Sequence, residues 1–184
     1  MSKKLFEYAG IAASVILIAF GIGSIVVGIG GRDRVQSDLA REQIVGTPDS
    51  TIPGQKVDTG SEAQAFANVM RKHTLEATGG QTYAQMGRYL DTAGKPTNDE
   101  KAAAVQNGKP VENPLRQIWV TETALTTALN TSYFAESVAT FAIVMGAALL
   151  LVGIGFLVMI VRLLMPAAAR KPSIAGAPAV PAAG

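Results

Sequence analysis

Two long apolar runs dominate the pattern of the chain, and a polar stretch separates them. Residues 8–31 and 137–161 contain no Asp, Glu, Lys or Arg. Because ~20 apolar residues of helix cross the ~30 Å hydrocarbon core of a bilayer, each run predicts a transmembrane helix. We therefore expect an all-α fold, a two-span transmembrane hairpin in which residues 32–136 form a small extramembrane helical bundle continuous with the membrane helices.

The charges beside the two runs predict their orientation. Five basic residues flank the runs on the side of the termini, and three flank them on the side of the polar stretch. Lys and Arg near span ends favour the cytoplasm. The N-terminus (1–7) and the tail (162–184) are thus predicted to be cytoplasmic, with residues 32–136 outside the plasma membrane. The Ala- and Pro-rich tail is predicted to be disordered.

Small residues recur at every seventh position in both runs. They are Ser14, Gly21 and Gly28 in the first run and Ala139, Gly146 and Gly153 in the second. Neighbours lie two helical turns apart, so each set lines one face. Lipid supplies no hydrophobic drive for helix association, whereas small residues let backbones approach closely. The pattern predicts a helix-packing seam whose partner is either the other run or a second copy.

Helix signals extend both runs into the polar stretch. Asn113 followed by Pro114 predicts the start of one long helix that ends near Leu164. The first run is expected to continue as a helix to about Val45, just before Gly46.

Further helices are predicted between these two. One begins at Ser61, with Gln64 completing a capping box, and carries a stripe that includes Phe66 and His73. A shorter helix is expected over 81–90. A third is expected to begin at Thr97 and to stop at Asn107 and Gly108, and no stretch alternates long enough to predict a strand.

Composition excludes several classes of function. The chain has no cysteine, which excludes disulfides, a thiol nucleophile and thiolate metal sites. Its net charge is +2, and residues 32–136 carry eleven basic against thirteen acidic residues. A clustered basic face is lacking, so no nucleic acid partner is expected. No cofactor, metal site or catalytic residue is predicted, and the chain is not expected to be an enzyme.

A few polar side chains are candidate contacts for a ligand or partner: His73, Glu76, Trp119, Thr123 and Asn130. His73 and Glu76 share a helix face, but a metal site needs further ligands. The Thr-rich stretch 117–132 allows two interpretations. In the first, it forms a polar groove between Trp119, Asn130 and the Phe66 stripe. In the second, Trp119, Tyr133 and Phe134 are packing residues and interfacial anchors, and the Thr side chains bond to their own helix or across the bundle.

Residues 66–73, 79–86 and 118–136 resemble a family of small actinobacterial two-span membrane proteins of unknown function. Some members carry the label aromatic ring-opening dioxygenase, which the single histidine of this chain does not support. The resemblance implies a plasma-membrane location. It implies no established activity. The seam and the lack of a catalytic constellation favour a scaffold or accessory subunit that contacts lipids and associates with itself or a larger membrane complex. A membrane-anchored sensor or ligand-binding protein is the alternative.

Overall fold

The computed structural model describes residues 3–164, so most of the predicted tail lies outside the described residues. The fold is mainly helical and contains four short strands. The elements are α1 Lys3–Arg41, α2 Gly60–Ala77, β1 Tyr89–Leu90, β2 Pro96–Thr97, β3 Val105–Gln106, β4 Lys109–Pro110 and α3 Pro114–Leu164. The chain divides into two units, Met1–Gly23 with Met145–Gly184, and Ser24–Val144.

In the first unit, α1 and α3 pack together through small residues. A Cβ atom on Gly21 would lie 2.7 Å from the carbonyl oxygen of Gly146 and 2.8 Å from the amide nitrogen of Leu150. A Cβ atom on Gly153 would lie 2.8 Å from the side chain of Ile18. Ser14 is buried as well. The partner of this part of the seam is therefore the other helix of the same chain.

In the second unit, the remaining seam residues, Gly28 and Ala139, are both buried. A Cβ atom on Gly28 would lie 2.7 Å from the Ala139 carbonyl oxygen. The apolar core of this unit joins the end of α1, the following loop, α2 and α3. Its buried members are Leu39, Val57, Ala63, Ala67 and Leu129.

The predicted continuation of α1 to Val45 was wrong, because the helix ends at Arg41. Gln43 has a φ of +53°, which breaks the helix. The chain then turns back on itself, and Val57 N–H donates to the Ile44 carbonyl at 2.9 Å. Val57 is almost fully buried and Ile44 packs against the core, so tertiary packing overrides local helix propensity here.

The N-cap of helix α2 lies two positions before the predicted cap, Ser61. Thr59 is the N-cap, and its side chain and that of Glu62 form the capping box that was assigned to Ser61 and Gln64. The same Thr-x-x-Glu spacing satisfies the capping-box pattern. Helix α3 begins at Pro114 as predicted, with the Asn113 side chain accepting from Leu115 N–H at 3.1 Å.

The predicted helices over 81–90 and after Thr97 were wrong, because residues 81–88 form turns and irregular structure and residues 89–110 form two antiparallel two-stranded hairpins. Asn107 and Gly108 both have positive φ and connect β3 to β4. Asn-Gly is the preferred pair for such a two-residue turn, so the supposed helix stop is a hairpin turn. The Asp91 side chain accepts from Lys95 N–H at 2.8 Å and closes the other hairpin.

Candidate functional site

Glu136 on α3 connects all three helices of the second unit. One carboxylate oxygen accepts from Arg32 Nε at 3.1 Å and from Gln36 Nε2 at 2.7 Å, both on α1. The other oxygen accepts from the N–H of Gly60 in the first turn of α2. The Glu136 side chain is only 12% exposed. Because each partner is a donor and the carboxylate is acceptor-only, this junction is chemically satisfied.

The approach of α2 to Glu136 requires glycine at position 60. A Cβ atom there would lie 2.8 Å from the Cα atom of Tyr133. The start of α2 also holds Glu62, whose carboxylate accepts from the N–H groups of Asp58 at 3.0 Å and Thr59 at 2.9 Å. Burial raises the pKa of Glu62, but these hydrogen bonds outweigh burial and leave the pKa below its ordinary value.

Trp119 attaches the end of α2 to α3. Its ring is buried, and Nε1 donates to the Gln81 carbonyl at 2.9 Å and to Thr78 Oγ1 at 3.3 Å. Thr78 is the C-cap of α2, and the Arg71 guanidinium lies 5.0 Å from the ring centroid. Trp119 therefore packs inside the unit, in agreement with the second interpretation of the Thr-rich stretch.

His73 and Glu76 do not act together. His73 Nε2 lies 2.9 Å from Asp49 Oδ2, and Lys72 Nζ donates to the same oxygen at 3.0 Å. Glu76 lies 3.9 Å from Lys72. This exposed cluster ties the loop after α1 to α2. Among residues 3–164, no three His, Asp or Glu side chains converge to hold a metal ion.

The cluster shifts two pKa values. The hydrogen bond to His73, followed by those from Lys72 and Thr47, holds the pKa of Asp49 well below its usual range. The hydrogen bond to Asp49 raises the pKa of Lys72. Both shifts express the preference of the folded state for the charged forms.

Glu122, next to the candidate Thr123, is a buried carboxylate with an unmatched oxygen. It is 3% exposed, and its Oε2 accepts from Thr123 Oγ1 at 3.3 Å. Within the described part of the chain, no donor reaches Oε1. Thr126 and Thr131 bond back to carbonyls of their own helix at 2.9 and 2.7 Å, as the second interpretation predicts.

The predicted groove between Trp119, Asn130 and Phe66 is not formed by those residues together. Phe66 lines an apolar groove of about 270 Å³ with Leu125 and Leu129. Asn130 is exposed, and Trp119 is buried elsewhere in the same unit. The five candidate contacts therefore do not form one site: His73 and Glu76 lie in the Asp49 cluster, while Trp119, Thr123 and Asn130 lie elsewhere on α3.

A polar cavity of about 600 Å³ lies beside the start of α3, and the sequence offered no signal for it. Its wall includes Tyr83, Arg88, Glu112, Arg116 and Gln117. These residues come from both sides of the hairpin segment, so only the turns of the hairpins bring them together. No short sequence motif therefore identifies this cavity.

The polar arrangements differ in what they can do chemically. At the Glu136 junction both carboxylate oxygens already accept hydrogen bonds. The Asp49 cluster is exposed and attaches the loop after α1 to α2. The cavity beside α3 presents guanidinium groups to solvent. No family model, curated protein or solved structure matches the chain.

Proposed function

We propose that the protein is a two-span integral membrane protein that acts as a scaffold or accessory subunit through helix packing. The observation that carries this proposal is the exposure of apolar surface on α1 and α3. Both helices are long and apolar enough to cross a membrane, and only 11% of the most apolar window of each is buried. A core helix of a water-soluble protein would bury most of such a surface.

The distribution of residues around the helices supports the same proposal. The small residues of the seam are buried between α1 and α3 within each unit. Large apolar side chains point outward instead. Among them are four exposed phenylalanines, Phe20, Phe134, Phe141 and Phe156. Internal packing leaves this outer surface free for lipid and for other membrane proteins, including a second copy.

The proposed orientation places both termini in the cytoplasm and residues 32–136 outside the plasma membrane, following the bias of basic residues. The absence of cysteine from the chain makes single-cysteine labelling clean. Thr51→Cys, at an exposed loop position, is expected to react with a membrane-impermeant maleimide on intact cells. Ser2→Cys is expected to react only after permeabilisation. The reverse pattern would overturn the orientation.

Crosslinking from the outward phenylalanines tests the scaffold role. Each is replaced in turn by the photoreactive analogue benzoylphenylalanine, which preserves much of the side chain. One or two positions should yield a discrete protein adduct in native membranes, because a packing face covers only part of the surface. Phe66, packed against the core of the second unit, is the control and should crosslink only within the chain. Lipid adducts alone from all four positions would refute the scaffold role.

The resemblance to the actinobacterial two-span family agrees with this assignment, and we propose membership on the residues that carry it. The proposal needs no chemistry at His73 or Glu76. Both side chains are engaged on the surface of α2 by Asp49 and Lys72.

A further inference from the structure

The cavity beside the start of α3 carries unpaired positive charge. Arg88 and Arg116 line it, and neither takes part in an ion pair among residues 3–164. Glu112 is the one carboxylate on the wall. The wall is therefore net positive, although residues 32–136 as a whole carry more acidic than basic side chains.

Arg116 is held in place by two contacts. Its guanidinium carbon lies 3.9 Å from the ring centroid of Tyr83, and Nη1 donates to the Met86 carbonyl at 3.0 Å. These two contacts hold the guanidinium, which has five N–H donors. One donor serves Met86, so the group keeps further donors for a ligand. Because the side chain is already ordered, binding sacrifices little rotamer entropy.

Arg88 stands on the same wall with a similar arrangement. Its guanidinium carbon lies 5.1 Å from the ring centroid of Tyr89, and Tyr89 is buried. Gln117 adds an amide to the wall. The Asn113 side chain is not free to bind, since it donates to the Gly87 carbonyl at 2.9 Å and caps α3. The available groups are thus two guanidinium forks and one amide.

We propose that this cavity binds a small soluble oxyanion, a phosphate or carboxylate group, between Arg88 and Arg116. Planar guanidinium forks match the oxygens of such groups with paired charge-assisted hydrogen bonds. The cavity volume of about 600 Å³ accommodates a whole small molecule. This site goes beyond the proposed scaffold role, and its test does not depend on that role.

The position of the site along α3 indicates the source of the ligand. Arg116 precedes the apolar run that begins at residue 137 by a helical length of ~30 Å, at ~1.5 Å per residue. A headgroup of the bilayer that the run would cross cannot reach so far. The ligand is therefore a solute of the compartment that holds residues 32–136.

Calorimetric titration of the full chain in zwitterionic nanodiscs with inorganic phosphate, pyrophosphate, acetate and citrate tests the site. At constant ionic strength, at least one anion should bind with a dissociation constant below about 1 mM, or ~4 kcal/mol. Arg88→Gln and Arg116→Gln should each weaken binding about tenfold, equivalent to ~1.4 kcal/mol. Glu112→Gln should tighten binding, because it removes the one negative charge of the wall.

Arg71→Gln is the matched control, because Arg71 also stacks on an aromatic ring but does not line the cavity. Its affinity should stay within about twofold of the wild type if the effect is local. Equal weakening by Arg71→Gln and Arg88→Gln would reduce the site to general electrostatics and overturn the proposal. Binding of no anion by a wild-type chain would overturn it as well.

Further measurements test the planar guanidinium of Arg116, the folding of the variants, and whether a lipid headgroup is the ligand. Arg116→Lys keeps the charge without the planar fork, so it should bind more weakly than wild type and more tightly than Arg116→Gln. Unchanged Trp119 fluorescence confirms that each variant of the cavity wall is folded. For Arg71→Gln, which removes a contact to the Trp119 ring, unchanged helix content by circular dichroism confirms the fold instead. Titration in nanodiscs of anionic lipid should give the same affinity, and competition by that lipid would contradict a soluble ligand.

Discussion

Glu136 and Glu122 allow a matched test of how buried carboxylates stabilise the second unit. Both lie on α3 and both are largely buried. Glu136 accepts hydrogen bonds from Arg32, Gln36 and Gly60, whereas no donor in the described residues reaches one oxygen of Glu122. Substitution of each by glutamine is the same chemical change in opposite surroundings. We expect Glu136→Gln to destabilise the fold and Glu122→Gln to leave it unchanged or more stable.

The magnitude follows from the number of acceptors. Glutamine offers one acceptor oxygen and one NH₂ group, so in either amide orientation at position 136 the NH₂ group faces a donor. An unsatisfied buried donor costs ~1–3 kcal/mol. The lost charge pairing with Arg32 adds little, since the Arg32 side chain is 49% exposed. We therefore expect Glu136→Gln to lower the free energy of unfolding by ~2 kcal/mol.

At position 122 the balance is reversed. The carboxylate has lost hydration on burial without a full set of donors in return, which is unfavourable. An amide removes the charge and can still exchange a hydrogen bond with Thr123. We expect a change of between zero and ~1 kcal/mol towards greater stability. The two variants should thus differ by ~2–3 kcal/mol, roughly a hundredfold in the ratio of folded to unfolded chain.

Unfolding in mixed micelles by increasing SDS, followed by Trp119 fluorescence, measures the difference. Trp119 is the only tryptophan, and it lies at the contact between α2 and α3 in the same unit. If the free energy of unfolding depends on the SDS fraction with the same slope in both variants, the difference between their midpoints gives the difference in free energy. Unfolding of both variants at the same SDS fraction, or lower stability of Glu122→Gln than of Glu136→Gln, would refute the expected difference.

Other predictions concern the helix-packing seam, the Asp49 cluster and the turn between β3 and β4. Gly21→Ala should destabilise the fold by ~1–3 kcal/mol, because the new Cβ atom would lie 2.7 Å from the Gly146 carbonyl oxygen. Gly23→Ala is the control: no atom lies within 4 Å of a Cβ atom there, so this variant should be neutral or stabilising in the same SDS titration. The lowered pKa of Asp49 means that its contribution is present above the ordinary carboxyl pKa and is lost as pH falls through the folded value. Thermal unfolding between pH 5 and 2 should therefore be more acid-sensitive in the wild type than in Asp49→Asn, and equal sensitivity would contradict this. Gly108→Ala, at a φ of +74°, should lower stability by ~1 kcal/mol in the SDS titration, and an unchanged midpoint would argue against the turn.

The long helices could be predicted from sequence because their signals are local and repeated. The seven-residue interval of small residues persists through both apolar runs, and Pro114 marks where α3 begins. The hairpins could not be recognised by alternation, since two-residue strands contain none. Asn107 and Gly108 did carry a turn signal, but Asn-Gly fits both a helix stop and a hairpin, and only the pairing of β3 with β4 decides between them.

The site residues were harder to predict because their partners are remote in sequence. Glu136 and Arg32 are separated by 104 residues, and Trp119 and Gln81 by 38. The sequence pattern pairs His73 with Glu76 because they share a helix face, yet His73 contacts Asp49, from a preceding loop, instead. A helical pattern therefore shows which side chains lie on one face of a helix. It does not show which residues from distant parts of the sequence contact them, because the fold brings those residues together.

The distribution of hydrogen-bonded and unpaired groups separates the surfaces that build the fold from the two surfaces for which we propose binding. The small residues are buried against backbone, and the hydrogen-bonding capacity of Glu136 is filled, so these positions build the fold and have little left for a partner. The outward phenylalanines still expose apolar surface, and the guanidinium groups of Arg88 and Arg116 still have N–H donors for a ligand. These two surfaces share no residue, so they can be removed independently. An Arg88→Gln variant that loses anion binding but keeps its crosslinks from Phe141 would show that ligand recognition and helix association are separate properties of one chain.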